Sequence, residues 1–154
     1  LMAKVIHDAS QGINYLTERP EVNKERIGFI GHSYGGRMAL WLPAFDPRIK
    51  TSVSHCGCVS YSDSLIHEAG IQMEFCIPGF MIDHDVKDVV NHFNGCSLLI
   101  SATTDDKWSR GADRLYDAVR HNLKDRVELK IYTGKHSFTR EMREYAYEFI
   151  ERTI

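Results

Sequence analysis

The apolar side chains near the start of the chain repeat at helical spacing. They fall at Met2, Val5, Ile6, Ala9, Ile13 and Leu16. A repeat of 3.6 residues is typical of an amphipathic helix with one buried face. The segment 19–23 contains Pro20 and breaks this pattern, so the helix is expected to end before it.

Four short apolar or alternating runs further along the chain predict β-strands. They cover residues 26–30, 51–55, 96–102 and 127–132. Helical patterns lie at 36–42 and 109–123, and a last helix is expected after residue 138. This alternation of strands and helices predicts a three-layer α/β/α domain around a parallel sheet of about four strands.

The first predicted strand runs directly into Gly31-His32-Ser33-Tyr34-Gly35, and a helical pattern follows. A G-x-S-x-G sequence between a strand and a helix is typical of a sharp turn that exposes a nucleophilic serine. Ser33 is therefore the candidate nucleophile. The main-chain N–H of Tyr34 is the candidate donor to the oxyanion that forms in acyl transfer.

A serine nucleophile needs a histidine base and a carboxylate that orients the base. Asp105 and Asp106 follow the strand at 96–102, and His136 follows the strand at 127–132. Ligand sites in open α/β sheets lie beyond the carboxyl ends of the strands, so these groups are expected beside Ser33. The hydroxyl of Ser33 is expected near a ring nitrogen of His136, and either carboxylate is in position to hold the other nitrogen.

Segments 31–36, 100–107 and 134–138 together resemble the α/β-hydrolase superfamily. The resemblance is to the branch with dienelactone hydrolase-like esterases, carbohydrate acetyl esterases and prolyl oligopeptidase-type peptidases. The resemblance implies that residues 1–154 form a single truncated domain. This domain would be the C-terminal half of the α/β-hydrolase fold, and the N-terminal half would be missing. The resemblance also implies that Asp105, rather than Asp106, joins Ser33 and His136 in the catalytic triad. Ser101-Ala102 departs from the family, because many relatives carry a glycine there.

The predicted function is hydrolysis of a small-molecule carboxylic ester through an acyl-enzyme on Ser33, without a metal or organic cofactor. The missing part would hold a loop with the second oxyanion donor, so the chain alone is expected to be feebly active. Two alternatives stay open. Ser33-Tyr34-Gly35-Gly36 and Asp105-Asp106-Lys107 also suit a prolyl oligopeptidase-type peptidase, and the fold also carries binding or receptor modules without catalysis.

Residues 56–95 form a long insertion between two predicted strands, and its role is open. Its apolar residues suit either the wall of a substrate pocket or packing on the sheet: Tyr61, Ile71, Met73, Phe75, Ile77, Phe80 and Met81. Pro78-Gly79-Phe80 resembles a segment of dienelactone hydrolase-like esterases, which favours the esterase interpretation. The substrate-binding residues themselves are not predicted.

The formal net charge of −2 gives no attraction to nucleic acid or to an anionic membrane surface. No run approaches the roughly 18 apolar residues that a membrane-spanning helix requires.

Cys56 and Cys58 lack the second cysteine pair of a structural zinc site, so all four cysteines are expected to be buried, reduced thiols. Reduced thiols favour a cytoplasmic protein. His32 is expected to pack against the turn, and His84 to lie in a turn before a helix.

Overall fold

Helices and strands alternate along the chain in the computed structural model, which describes residues 1–154. Four parallel strands form one sheet in the order β1-β2-β3-β4. They are β1 (Ile27–His32), β2 (Ile49–His55), β3 (Ser97–Thr103) and β4 (Val127–Tyr132). The predicted fold class is confirmed, and because all four strands are parallel their carboxyl ends meet at one edge of the sheet.

Seven helices accompany the sheet. They are α1 (Met2–Thr17), α2 (Tyr34–Phe45), α3 (Tyr61–Ile66), α4 (Phe80–Asp83), α5 (Val86–Val90), α6 (Ala112–Leu123) and α7 (Arg140–Thr153), with short 3₁₀ turns at Met73–Phe75 and Lys124–Arg126. The helices predicted around 2–16, 36–42 and 109–123 and after 138 are confirmed as α1, α2, α6 and α7. No helix in the chain is long and apolar enough to cross a membrane.

The hydrophobic core has two parts, one on each face of the sheet. Successive side chains of β3 point to opposite faces, so Leu98 and Ile100 join the larger cluster with side chains of α1, α2, α5 and α6. Leu99 instead packs with Val53, Ala146 and Phe149, the last two from α7. Every residue of β3 is buried, as expected for an interior strand covered by helices on both faces.

The insertion at 56–95 divides between the core and the surface. Tyr61 and Phe75 are each 2% exposed and belong to the main core. The Phe80 ring lies 5.4 Å from the Trp41 ring of α2, whereas the Met73 side chain is 73% exposed. A surface groove of about 510 Å³ runs along the insertion and is lined by Tyr61, Ile71, Phe75, Cys76, Ile77, Pro78, Gly79, Met81 and Ile82. The insertion therefore both packs on the sheet and shapes a groove.

Candidate active site

Ser33 occupies a strained turn between β1 and α2. Its backbone has φ 59° and ψ −114°, a conformation that costs an ordinary residue on the order of 1–3 kcal/mol. The turn is held on both sides, because the Ser33 N–H donates to the His55 carbonyl at 2.9 Å and the Ser33 carbonyl accepts from the Arg37 N–H at 3.1 Å. The expected sharp turn is present at the carboxyl end of β1, and its serine is half-buried rather than exposed.

Glycines around Ser33 are required by close contacts between main chains. A Cβ on Gly31 would overlap the carbonyl of Gly35, and a Cβ on Gly57 would overlap the carbonyl of Ser33. A Cβ on Gly36 would lie 2.5 Å from the carbonyl oxygen of His55, which is also too close. Gly35 differs, since a Cβ there would meet nothing within 4 Å. The tight turn therefore depends on Gly31, Gly36 and Gly57.

Asp106, not Asp105, is the carboxylate beside His136. Oδ2 of Asp106 lies 3.0 Å from Nδ1 of His136, although the ring N–H is not well aligned with that oxygen. The prediction that Asp105 would hold His136 is wrong. Asp105 sits in the turn after β3, where its N–H donates to the Gly134 carbonyl at 2.8 Å, and its side chain is exposed. The turn carries the next residue, Asp106, into the interior, where it is only 2% exposed.

Several donors converge on the Asp106 carboxylate. The Ser109 hydroxyl donates to Oδ2 at 2.7 Å, and the Trp108 N–H donates to Oδ1 at 3.1 Å. Burial by itself would raise the pKa of Asp106, but the contacts with His136, Ser109 and Trp108 outweigh burial and leave this pKa below its usual range. The carboxylate is therefore negatively charged near neutral pH and suited to stabilise a protonated imidazole.

His136 lies between two aromatic rings at the carboxyl edge of the sheet. Its ring centroid is 4.8 Å from that of Trp108 and 4.6 Å from that of His32, the neighbour of Ser33 in the chain. The side chain is 26% exposed. No hydrogen bond joins the Ser33 hydroxyl to His136, and the Ser33 side chain makes no capping bond to α2 either. Tyr34 opens α2, where main-chain N–H groups have no carbonyl partner within the helix.

His55 is a residue of the site that the sequence analysis missed. It is fully buried at the end of β2, with Nε2 2.8 Å from the Ser137 carbonyl and Nδ1 2.5 Å from the Ser101 hydroxyl. A carbonyl only accepts, so Nε2 carries the proton and Nδ1 accepts from Ser101. Burial lowers the pKa of His55 and keeps its ring neutral. His55 thus links the loop that carries His136 to the sheet. The sequence signal for this role is Ser101, a polar residue within the apolar strand β3 that bonds to the His55 ring.

His32 and Cys56 bring unused polar atoms to the same place. Nε2 of His32 is buried without a hydrogen-bond partner, and burial lowers the pKa of this ring. Cys56, at the end of β2, is buried with a positive φ of 49°, and its Sγ lies 3.4 Å from the Thr103 hydroxyl. Burial raises the pKa of the Cys56 thiol, so the thiol is protonated near neutral pH.

The other cysteines and His84 lie outside this site. All four cysteines are free, as expected, but Cys76 is exposed rather than buried. His84 lies before a helix, as expected, between α4 and α5, and Asp85 is the N-cap of α5 and accepts from the Val86 N–H at 2.6 Å. The His84 ring packs against Phe80, with 5.5 Å between ring centroids.

Comparison with known proteins adds sequence and structural relatives. The family model described as "BAAT / Acyl-CoA thioester hydrolase C terminal" matches residues 10–111. The putative hydrolase YtaP of Bacillus subtilis (strain 168) is 42% identical over 57 residues, which are 37% of this chain and 19% of that protein. The segment matched by the family model includes the turn at Ser33.

Solved structures with the same fold include carbohydrate esterases. A glucuronoyl esterase from Solibacter usitatus superimposes with a TM-score of 0.79 and 18% identity, covering 99% of this chain and 48% of that one. Acetyl xylan esterase 1 from Thermoanaerobacterium sp. JW/SL YS485 gives a TM-score of 0.71 and 20% identity, covering 96% and 52%. The chain thus spans about half the length of these solved relatives, and at such identities the likeness shows the fold.

Proposed function

The chain belongs to the BAAT / acyl-CoA thioester hydrolase C-terminal family, and on that premise we propose that it carries the catalytic triad of a serine hydrolase that cleaves carboxylic esters. The observation that supports this most is the strained Ser33 turn at the same sheet edge as the His136–Asp106 pair. A strained serine turn, a histidine and a buried, ionised carboxylate are the parts that acyl transfer requires.

In the proposed mechanism Ser33 attacks the ester carbonyl while His136 accepts the hydroxyl proton. Asp106 on Nδ1 fixes the ring so that Nε2 is the basic nitrogen, and its negative charge stabilises the imidazolium that forms. His136 then protonates the leaving alcohol, and the acyl group remains on Ser33. A water molecule that loses its proton to His136 releases the acid and restores the hydroxyl.

The tetrahedral intermediate carries its negative charge on the former carbonyl oxygen. The N–H of Tyr34 stands at the start of α2, where the helix dipole also favours negative charge. One such donor is worth about 10² to 10³ in kcat. Tyr34 therefore supplies one arm of the proposed oxyanion hole through its main chain.

The substrate class follows from the relatives by analogy. The solved neighbours include proteins named as glucuronoyl and acetyl xylan esterases, which favours an ester substrate. The description of the matching family favours an acyl thioester as the second candidate, and the same triad chemistry would cleave it. No observation favours a peptide bond or a non-catalytic binding role over these.

The test combines labelling with turnover. Purified protein is treated with a fluorophosphonate probe, which reacts with activated serines whatever the substrate, and the labelled peptide is identified by mass spectrometry. p-Nitrophenyl acetate, an acyl thioester and an aminoacyl amide are then assayed. Ser33→Ala should abolish labelling and lower ester turnover by at least about 10³-fold. Ser10→Ala on α1 is the matched control and should change neither. Label on another serine, or full turnover by Ser33→Ala, would refute the mechanism.

A further inference from the structure

Three potential metal ligands from three different segments converge beside the proposed triad. His32 ends β1, Cys56 follows β2, and His136 lies in the loop after β4. One ligand atom from each residue lies within 4.8 Å of those of the other two. The spacing of cysteines along the chain does not reveal this cluster, because the fold assembles it from three distant segments.

The state of these side chains suits a metal. Nε2 of His32 is buried without a hydrogen-bond partner, so this ring nitrogen lacks compensation for the water it lost, and Nδ1 of His136 has only its poorly aligned contact with Asp106. Cys56 is buried next to them, and its sulfur, a weak hydrogen-bonding group, lies 3.4 Å from the Thr103 hydroxyl and 3.9 Å from the Ser137 carbonyl. None of these contacts is strong enough to compete with a metal bond.

We propose that His32, Cys56 and His136 form a binding site for Zn²⁺, and that zinc bound there inhibits the hydrolase reversibly. Imidazole nitrogen and thiolate sulfur are the ligands that zinc prefers, with bonds of about 2.0–2.1 Å and 2.3 Å. Tetrahedral geometry then sets the ligand atoms about 3.3–3.6 Å apart. If each of the three side chains moves by roughly 1 Å, their ligand atoms occupy three of the four coordination positions of the zinc ion, and a water molecule occupies the fourth. The thiol proton of Cys56 leaves to solvent as the zinc–sulfur bond forms.

Inhibition follows from the double use of His136. A metal-bound ring loses electron density to the cation and is drawn from Asp106 toward Cys56, so it no longer acts as the base for Ser33. This step rests on the proposed function. Zinc binding itself does not, because it needs only the three ligands. A chelator that removes zinc should restore turnover.

Binding is tested directly with the purified, reduced protein. Zn²⁺ is titrated in competition with a chromophoric chelator, and Co²⁺ serves as a spectroscopic probe for thiolate coordination. We expect one high-affinity site per chain and a thiolate-to-cobalt charge-transfer band. Cys56→Ser and His32→Gln should each weaken zinc binding at least about tenfold, and Cys56→Ser should abolish the band. Cys76→Ser, which removes the exposed thiol, is the matched control and should bind as the wild type does.

The outcomes separate the two proposals. Ser33→Ala should bind zinc normally even though it turns over no ester. Zinc binding by a wild-type protein that turns over no ester would refute the hydrolase and keep the site. Wild-type turnover that is unchanged when zinc is bound would refute the inhibition, and wild-type zinc affinity in Cys56→Ser would refute the zinc site; both results keep the hydrolase. If His32→Gln fails to fold by circular dichroism, Cys56→Ser decides alone, because serine preserves the size of the side chain.

Discussion

A buried carboxylate stays charged only where donors compensate for the water it has lost. Asp106 receives such donors from Ser109 and Trp108 and faces His136, whereas Asp105 is exposed in the preceding turn. The two residues are chemically identical and adjacent in the chain. Their environments nevertheless predict opposite results when each is changed to asparagine.

Asp106→Asn should lower kcat for ester hydrolysis by about 10³- to 10⁴-fold. The amide keeps the size of the side chain but loses the charge that fixes the imidazole tautomer and stabilises the imidazolium. Asp105→Asn is the matched control and should retain kcat within a few-fold. Steady-state kinetics with p-nitrophenyl acetate measures both. A large loss of kcat in Asp105→Asn, together with an active Asp106→Asn, would show that Asp105 is the carboxylate of the triad, as the sequence resemblance implies.

His55 makes folding stability depend on pH. Its pKa is lowered mainly by burial, so in the folded state it stays neutral below its ordinary value of about 6.5. The unfolded chain binds a proton there first, and the free energy of unfolding therefore falls as the pH drops below about 6.5 toward the folded pKa. Well above pH 6.5 the ring is neutral in both the folded and the unfolded chain, so His55 adds no pH dependence to the free energy of unfolding there.

Urea denaturation at several pH values between 5 and 8 measures this effect. The slope of the unfolding free energy against pH should be smaller in His55→Gln than in the wild type, because glutamine does not titrate. His121→Gln, on the exposed side of α6, is the control and should keep the wild-type slope. An unchanged slope in His55→Gln would show that the buried imidazole is not the source.

The residues of the site differ in how far the sequence could predict them. Ser33 and His136 can be chosen as candidates from the sequence because each lies in a local motif at the end of a recognisable strand. The choice between Asp105 and Asp106 depends on which way one turn faces, which spacing does not encode. His55 was missed because its partners, Ser101 and Ser137, are distant in the chain and meet it only in the folded sheet.

At the scale of elements, the contact between the Ser33 turn and β2 is what fixes the site. Gly36 of α2 meets the His55 carbonyl, and Gly57 meets the Ser33 carbonyl, so helix and strand approach through main-chain atoms alone. Main chain cannot move aside as a long side chain can. Each of these glycines therefore allows an approach that any Cβ would block.

Alanine at two neighbouring glycines should have opposite effects on stability. Gly36→Ala should destabilise the fold by about 1–3 kcal/mol or more, because its Cβ would be driven against the His55 carbonyl. Gly35→Ala should be neutral or stabilising by about 0.5 kcal/mol, since its Cβ is unobstructed and alanine favours the helix. Urea denaturation compares the two. Equal losses would show that the turn tolerates no side chain at either position.

The strands and long helices were predictable because their patterns are regular. Residues 96–102 are continuously apolar or small, as an interior strand covered on both faces requires. Residues 56–95 have no such period. The helices there, α3, α4 and α5, have six, four and five residues, too few to establish a helical repeat in the sequence. Their positions follow from contacts with α2, such as Phe80 on Trp41.

At the scale of the whole molecule, the sheet has two edges of different character. β4 carries Glu128 and Lys130, and Glu128 is held by Arg152 of α7. β1 has the sequence IGFIGH, without a formal charge, and Ile30 is 37% exposed. Charged side chains on an edge strand discourage pairing with another chain, so β4 is protected and β1 is not.

The 154-residue chain should therefore self-associate through β1 as its concentration rises. Size-exclusion chromatography with light scattering, from micromolar to hundreds of micromolar protein, should show a mass that grows with concentration. Ile30→Lys should shift the protein toward the monomer, because pairing would bring a charge against the partner strand. Ile131→Lys makes the same change on β4, where Ile131 is 50% exposed, and should leave the association unchanged. A monodisperse monomer at every concentration would mean that β1 is protected in a way its sequence and exposure do not reveal. Association abolished by Ile131→Lys alone would move the interface to the opposite edge.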